Sequence, residues 1–252
     1  MSAIEVREIR KSFLIPHEQR TMFKELFLHP FRRVAYERND ALAGVSFEVE
    51  KGEFFGIIGP NGSGKSTLLR ILARIYRPDA GEVRVQGKLS PFIELGVGFN
   101  LELSARDNVW INASLLGLTR REIADRFDAI MEFAELDRFV DQKLKNFSSG
   151  MQVRLAYSIS IQVPFEVLLL DEVLAVGDEG FQEKCFATFD EMRRDGKTVV
   201  FVSHDLDAVT RFCDRVLLLR DGVVEALGPA AEVVGAYRAE EAERRVPEAS
   251  TV

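Results

Sequence analysis

The chain has 252 residues, 46% of them hydrophobic, enough to bury one sizeable core, or a core with a smaller lobe, without disulfide staples. Its net charge of -7 supplies no global field for wrapping nucleic acid, so no nucleic-acid partner is expected. No stretch approaches the roughly 20 apolar residues of a membrane span, the N-terminus MSAIEVREIRK has no apolar signal core, and Cys185 and Cys213 lack metal-ligand spacing and read as packing residues in a reducing compartment.

Residues 4–9 and 45–50 alternate apolar and polar side chains, as a half-solvated antiparallel edge does. Between them lies a basic insertion, 14–38. Met22, Phe23, Leu26 and Phe27 share one helical face there, Pro30 ends it, and Arg20, Lys24, Arg32, Arg33 and Arg38 supply the charge. That helix either packs on its own domain or faces a membrane or a partner. FFGIIG (54–59), VLLLD (167–171), TVVFVS (198–203) and RVLLL (215–219) are short continuous apolar runs, as strands buried on both faces require, and helical patterns occur at 66–75, 180–194 and 206–213. The expected fold is therefore α/β, with a parallel-sheet core built from 1–90 and 161–235 and an antiparallel β edge. Beyond about 91 the strand signal stops; a Thr119-Arg120-Arg121-Glu122 capping box starts a helix to about 135, another spans 151–162, and 91–160 reads as an inserted helical subdomain. Residues 236–252 read as a polar C-terminal tail that begins as a frayed helix.

GPNGSGKST, residues 59–67, fits G-x-x-x-x-G-K-[ST] between a buried strand and a helix. In that context Gly59, Asn61, Gly62, Ser63 and Gly64 form a loop whose backbone N–H groups curl around β- and γ-phosphates. Lys65 offsets the phosphate charge, and Ser66, followed by Thr67, offers its hydroxyl to Mg²⁺. ATP and Mg²⁺ are the expected ligands. The 167–171 strand ends in Asp171-Glu172, which sets Asp171 in the metal's shell and Glu172 to take a proton from an attacking water. The 198–203 strand delivers His204 to the same edge, near the γ-phosphate. Ser148, Ser149 and Gly150 open a helix with no large side chain in the way, which makes either a serine N-cap or a site for an anion. His17 and His29 receive no role.

The order of these features resembles that of ABC-type ATPase subunits: phosphate loop, small-residue helix start, an apolar run ending in Asp-Glu, an Ala-Val-Gly-Asp turn at 175–178, and a strand-end His204. The likeness covers nearly the whole chain and implies a P-loop NTPase core that hydrolyses ATP. FSSGM, residues 147–151, then occupies the family's signature loop, with Ser149 in place of its first glycine. In the family the signature loop of one subunit closes on the γ-phosphate held by another. The resemblance therefore implies a head-to-tail homodimer, with Ser148, Ser149 and Gly150 on the partner's nucleotide and Asp178 at the seam. Glu94 stands about where the family commonly carries a glutamine that touches Mg²⁺ and water, and Phe13 or Tyr36 would stack on adenine. ELGVGFNLELSARDNVWINASLLGL, together with FSSGM and DEVLAVGDEGFQEKC, looks like the ATPase of O-antigen, teichoic acid, capsule or galactan exporters. That implies a peripheral subunit on the cytoplasmic face of the cell membrane, acting with a separate integral membrane permease to export a lipid-linked polysaccharide. In this reading the 14–38 helix and the loop Leu95-Gly96-Val97-Gly98 form the coupling surface. An exporter ATPase for another substrate and a soluble, non-transport ABC-type ATPase are the alternatives.

Overall fold

A computed structural model describes residues 1–16, 36–92, 98–171 and 179–245. The expectations for Glu94, Glu172 and Asp178, for the loop at 95–97 and for the insertion between 17 and 35 lie outside the described residues. Strands β1 (Ser2–Pro16) and β2 (Tyr36–Glu50) form a long antiparallel ribbon, which reaches into the 14–38 insertion from both sides. The alternation read in the sequence buries Ile4, Val6, Ile9, Val45, Phe47 and Val49 and leaves Glu48 and Glu50 outside.

The larger sheet contains β3 (Phe54–Ile58), β5 (Leu89–Phe92), β6 (Val167–Asp171), β7 (Thr198–Val202), β8 (Arg215–Arg220) and β9 (Val223–Pro229), while β4 (Ala80–Val85) joins β1 in the smaller one. Its order is β5-β6-β7-β3-β8-β9, parallel except for the last pair. The central strands have no polar face because both faces are covered. Phe55, Ile57, Leu169 and Val200 pack on one side with Leu68, Leu69 and Leu72 of α1 (Lys65–Leu72) and with the antiparallel sheet.

Three helices, α2 (Ala105–Leu115), α3 (Arg120–Ala134) and α4 (Ser149–Gln162), make the inserted lobe around their own cluster of Val109, Ile123, Ile130, Leu155 and Ile159. The capping box is present: Thr119 Oγ1 accepts from Glu122 N, and Glu122 Oε2 accepts from Thr119 N at 2.8 Å. Against the other face of the sheet, Phe54, Ile58, Leu168 and Leu170 meet α5 (Glu179–Arg194), α6 (Leu206–Phe212) and α7 (Ala230–Arg245).

Helix α7 joins the core to the polar C-terminal segment. It runs unbroken through the boundary expected at 236: Ala230, Val233, Val234 and Tyr237 recur at helical spacing and are buried, whereas residues 238–244 are helical but exposed or half-buried, with Arg220 donating to Glu240 at 2.6 Å. Cys185 and Cys213 are free, buried thiols, as their spacing suggested. Among the described residues no helix is long and apolar enough to cross a membrane.

Candidate functional site

At the C-terminal end of the sheet the central strand β3 runs directly into Gly59. A Cβ at this position would lie 2.0 Å from the Leu219 carbonyl oxygen, so only glycine lets the chain turn so close to β8. At the other end of the loop Gly64 caps α1 with φ 104°, where a Cβ would meet the Ala41 carbonyl oxygen at 2.4 Å. Between these points the loop wraps back on itself. Lys65, the first residue of α1, is buried and donates from Nζ to the carbonyls of Gly59 and Pro60 at 2.8 and 2.9 Å, which holds the ammonium over the loop. Ser63 Oγ is buried without a hydrogen-bond partner. Loop, cation and helix N-terminus together make a receptor for phosphate oxygens.

Phe13, Asn61, Gly62, Gly64, Lys65, Ser66, Thr67 and His204 line one cavity of about 290 Å³ with Asn39 and Ala41. Eight residues singled out in the sequence are thus brought together from β1, the loop, α1 and the end of β7. Phe13 is held there by its neighbours: Lys11 Nζ lies 5.5 Å from its ring centroid, and Tyr76 meets it edge-on at 5.7 Å. Asp79 fixes that stretch of β1 by accepting from Lys11 Nζ, Ser12 N and Ser12 Oγ. These bonds hold its carboxyl down to about 2, so the anchor stays charged over the physiological range. Tyr36 pairs with Pro16, whereas Phe13 pairs with Asn39, so Tyr36 sits about 10 Å further out along the ribbon.

Asp171 ends β6 opposite Val202 of β7, next to Ser203-His204. His204 is exposed, and its backbone is fixed by the turn that follows. Ser203 Oγ accepts from Asp205 N at 3.0 Å, and Asp205 Oδ1 accepts from Asp207 N and Ala208 N at 3.0 Å to cap α6. A second cavity of about 580 Å³ shares Asn61 and His204 with the first and is walled by Tyr237, Arg238 and Glu241 of α7. The sequence reading missed this wall, although the spacing of Val233, Val234 and Tyr237 marked a buried helix face.

Ser148, Ser149 and Gly150 do not line the cavity with Lys65. They begin α4 on the helical lobe, where Ser148 Oγ accepts from Met151 N at 3.2 Å as an ordinary N-cap. Ser148 and Ser149 are exposed, and a Cβ on Gly150 would find nothing nearer than Ser148 Oγ at 3.8 Å. The loop with Lys65 and the start of α4 therefore lie apart in one chain.

The model of the ABC transporter family matches residues 42–175. The chain is 39% identical over 238 residues to the O-antigen export system ATP-binding protein of Klebsiella pneumoniae, covering 93% of this chain and 97% of that protein. It is 40% identical over 244 residues to a protein of the same description from Myxococcus xanthus, spanning 94% of this chain and 56% of the relative. With the teichoic acids export ATP-binding protein of Bacillus cereus it shares 41% over 199 residues, 79% of this chain and 36% of the relative. Among solved structures, a dimeric post-hydrolysis ATP-binding cassette bound to ADP and Pi superimposes with a TM-score of 0.73 at 25% identity, covering 90% of this chain and 98% of that one. The chain belongs to the ABC transporter family, as one of its ATP-hydrolysing cassettes.

Proposed function

We propose that this chain powers export of a lipid-linked polysaccharide, working as a head-to-tail homodimer beneath a separate membrane-spanning permease on the cytoplasmic face of the membrane. The observation that carries the export reading is the 39% identity to an O-antigen export ATP-binding protein over 97% of that protein's length. For the paired arrangement the support is the exposed start of α4, which lies apart from the cavity of its own chain.

Within each site the loop N–H groups and Lys65 bind the β- and γ-phosphates, and Phe13 stacks on adenine. Ser66 and Asp171, with Glu94, would hold Mg²⁺; their oxygens are the hard ligands this ion takes. When bound, the metal neutralises charge on the phosphates. Glu172 accepts a proton from the attacking water, His204 orients the γ-phosphate end, and the second copy contributes Ser148, Ser149 and Gly150, with Asp178 at the seam. Glu172→Gln should keep ATP binding and slow turnover by roughly 10² to 10⁴, the usual worth of a general base; near-normal turnover would remove Glu172 from that role.

Purifying the chain from membranes together with whatever integral protein binds it, and assaying ATPase with and without lipid-linked glycan, tests the export reading. Co-purification of a permease and stimulation by the glycan are expected. A chain that leaves the membrane alone, or cells that export glycan normally without it, would contradict the proposal.

A further inference from the structure

The phosphate loop follows β3 of the larger sheet, whereas Phe13 and Asn39 come from the ribbon of the smaller one, so the gap between these walls of the cavity has to be set by contacts between sheets. Ala41 stands in that gap. It lines the cavity, and in the pairing of β1 with β2 it is the residue left out: Lys11 faces Leu42 and Ser12 faces Asp40, which makes Ala41 the extra residue of a β-bulge, two positions from Asn39, the partner of Phe13. Two glycines approach its carbonyl oxygen. One is Gly64 of the loop; the other is Gly222, where a Cβ would lie 2.9 Å from that oxygen and 3.1 Å from Leu42 Cα. In the hairpin between β8 and β9, Arg220 pairs with Val223, and Asp221-Gly222 form a two-residue turn with φ of 47° and 75°. Positive φ at both positions is the type I′ geometry that matches the twist of paired strands. The turn is bonded on two sides: Gly222 N donates to the Ser63 carbonyl of the phosphate loop at 3.1 Å, and the Gly222 carbonyl accepts from Ala43 N of β2 at 2.8 Å. Gly222 does not line the cavity, yet it bridges two of its walls.

We propose that Gly222 is a positioning residue for nucleotide recognition: the Asp221-Gly222 turn fixes the spacing between the loop that takes the phosphates and the ribbon that carries Phe13, and thereby sets how strongly the chain prefers ATP to a bare chain of phosphates. This rests on the assignment of adenine to Phe13 above. A side chain at 222 must displace backbone, because the nearest atoms belong to the main chain of Ala41 and Leu42. The loop is the stiffer wall. Gly59 is packed against the Leu219 carbonyl of β8, and Lys65 Nζ ties the Gly59 and Pro60 carbonyls together. Strand β2 is the softer one, an edge strand of the smaller sheet whose register is already interrupted at Ala41. The displacement therefore falls on the ribbon, with Asn39 and Phe13, and leaves the phosphate receptor in place.

The test is calorimetry of the full chain with ATP and with inorganic tripolyphosphate, each with Mg²⁺, beside thermal unfolding without ligand. In Gly222→Ala the affinity for ATP should fall about tenfold, the scale of a lost base stack, while that for tripolyphosphate stays within about twofold of wild type. Gly196, in the turn between α5 and β7, is the control, since its φ is also positive, 66°, but an added Cβ meets nothing within 4 Å. Gly196→Ala should lower the unfolding midpoint by about 2 to 4 °C through backbone strain alone and change neither affinity. Gly222→Asn keeps the contact with Ala41 on a residue type that tolerates positive φ. It should lose ATP affinity as Gly222→Ala does, with a smaller fall in the midpoint. Equal losses of ATP and tripolyphosphate affinity in the Gly222 variants, unchanged ATP affinity in them, or failure of both to fold where Gly196→Ala folds would overturn the proposal. Phe13→Ala is measured beside them: if it keeps the wild-type preference for ATP, the adenine assignment itself falls and takes this proposal with it, an outcome read without any change at Gly222.

Discussion

Lys65 braces the loop itself, because the ammonium facing the cavity ties Gly59 to Pro60 through their carbonyls. Lys65→Ala removes a buried cation and both ties, and ATP affinity measured by calorimetry should fall at least about tenfold; unchanged affinity would contradict the assignment. Phe13 and Tyr36 are separated by a similar comparison. Phe13→Ala should raise the KM for ATP about tenfold, within the range of base stacking on an aromatic, while Tyr36→Ala should do much less; the reverse order would move adenine outward along the ribbon. The two cysteines are quiet for a physical reason. Burial pushes the thiols of Cys185 and Cys213 up to about 12, so neither supplies thiolate near neutrality. A thiol reagent at pH 8 should leave the folded chain unmodified and titrate two thiols after denaturation. Between about pH 9 and 12 the unfolded chain releases thiol protons that the folded chain keeps, so these groups make stability fall as pH rises there.

At the scale of elements, what the sequence declares most clearly is whatever has a single cause. The runs at 54–59, 167–171, 198–203 and 215–219 are apolar because helices or a second sheet cover both faces, and all became strands of the parallel sheet. The phosphate loop was legible because its residues are fixed by local backbone geometry and by a nearby charge. Helix α2 was not legible, since its buried face includes Asn108, a polar residue that breaks the apolar period. Its amide donates to the carbonyls of Asn100, Leu103 and Ser104, so the polarity is satisfied by a loop that no periodicity reading foresees. Strands β4 and β9 escaped for a related reason, being edge strands with exposed positions along most of their length. The capping box at Thr119 was visible because it is local, and its worth can be checked: Thr119→Ala should cost about 1 kcal/mol, read as a lowered urea midpoint with an unchanged denaturant slope. No loss would mean that the packing of Ile123, Phe127 and Ile130 alone sets the helix start.

At the scale of the whole molecule, the loop with Lys65 and the exposed start of α4 lie apart. The loop, Lys65, Asp171 and His204 gather at the edge of the parallel sheet, and the exposed start of α4 belongs to a lobe with its own core. The proposed ATPase therefore depends on a second copy to complete each site. Gly150→Asp is suited to test this, because the position has room for a side chain within its own chain, so folding and monomer nucleotide binding should survive while a carboxylate is set against the partner's phosphate. The most direct measurement is equilibrium sedimentation of the Glu172→Gln chain with ATP and Mg²⁺, with and without the added Gly150→Asp substitution. The account predicts an ATP-dependent dimer for Glu172→Gln alone and a monomer for the double variant. A dimer of equal strength in both would contradict the shared site.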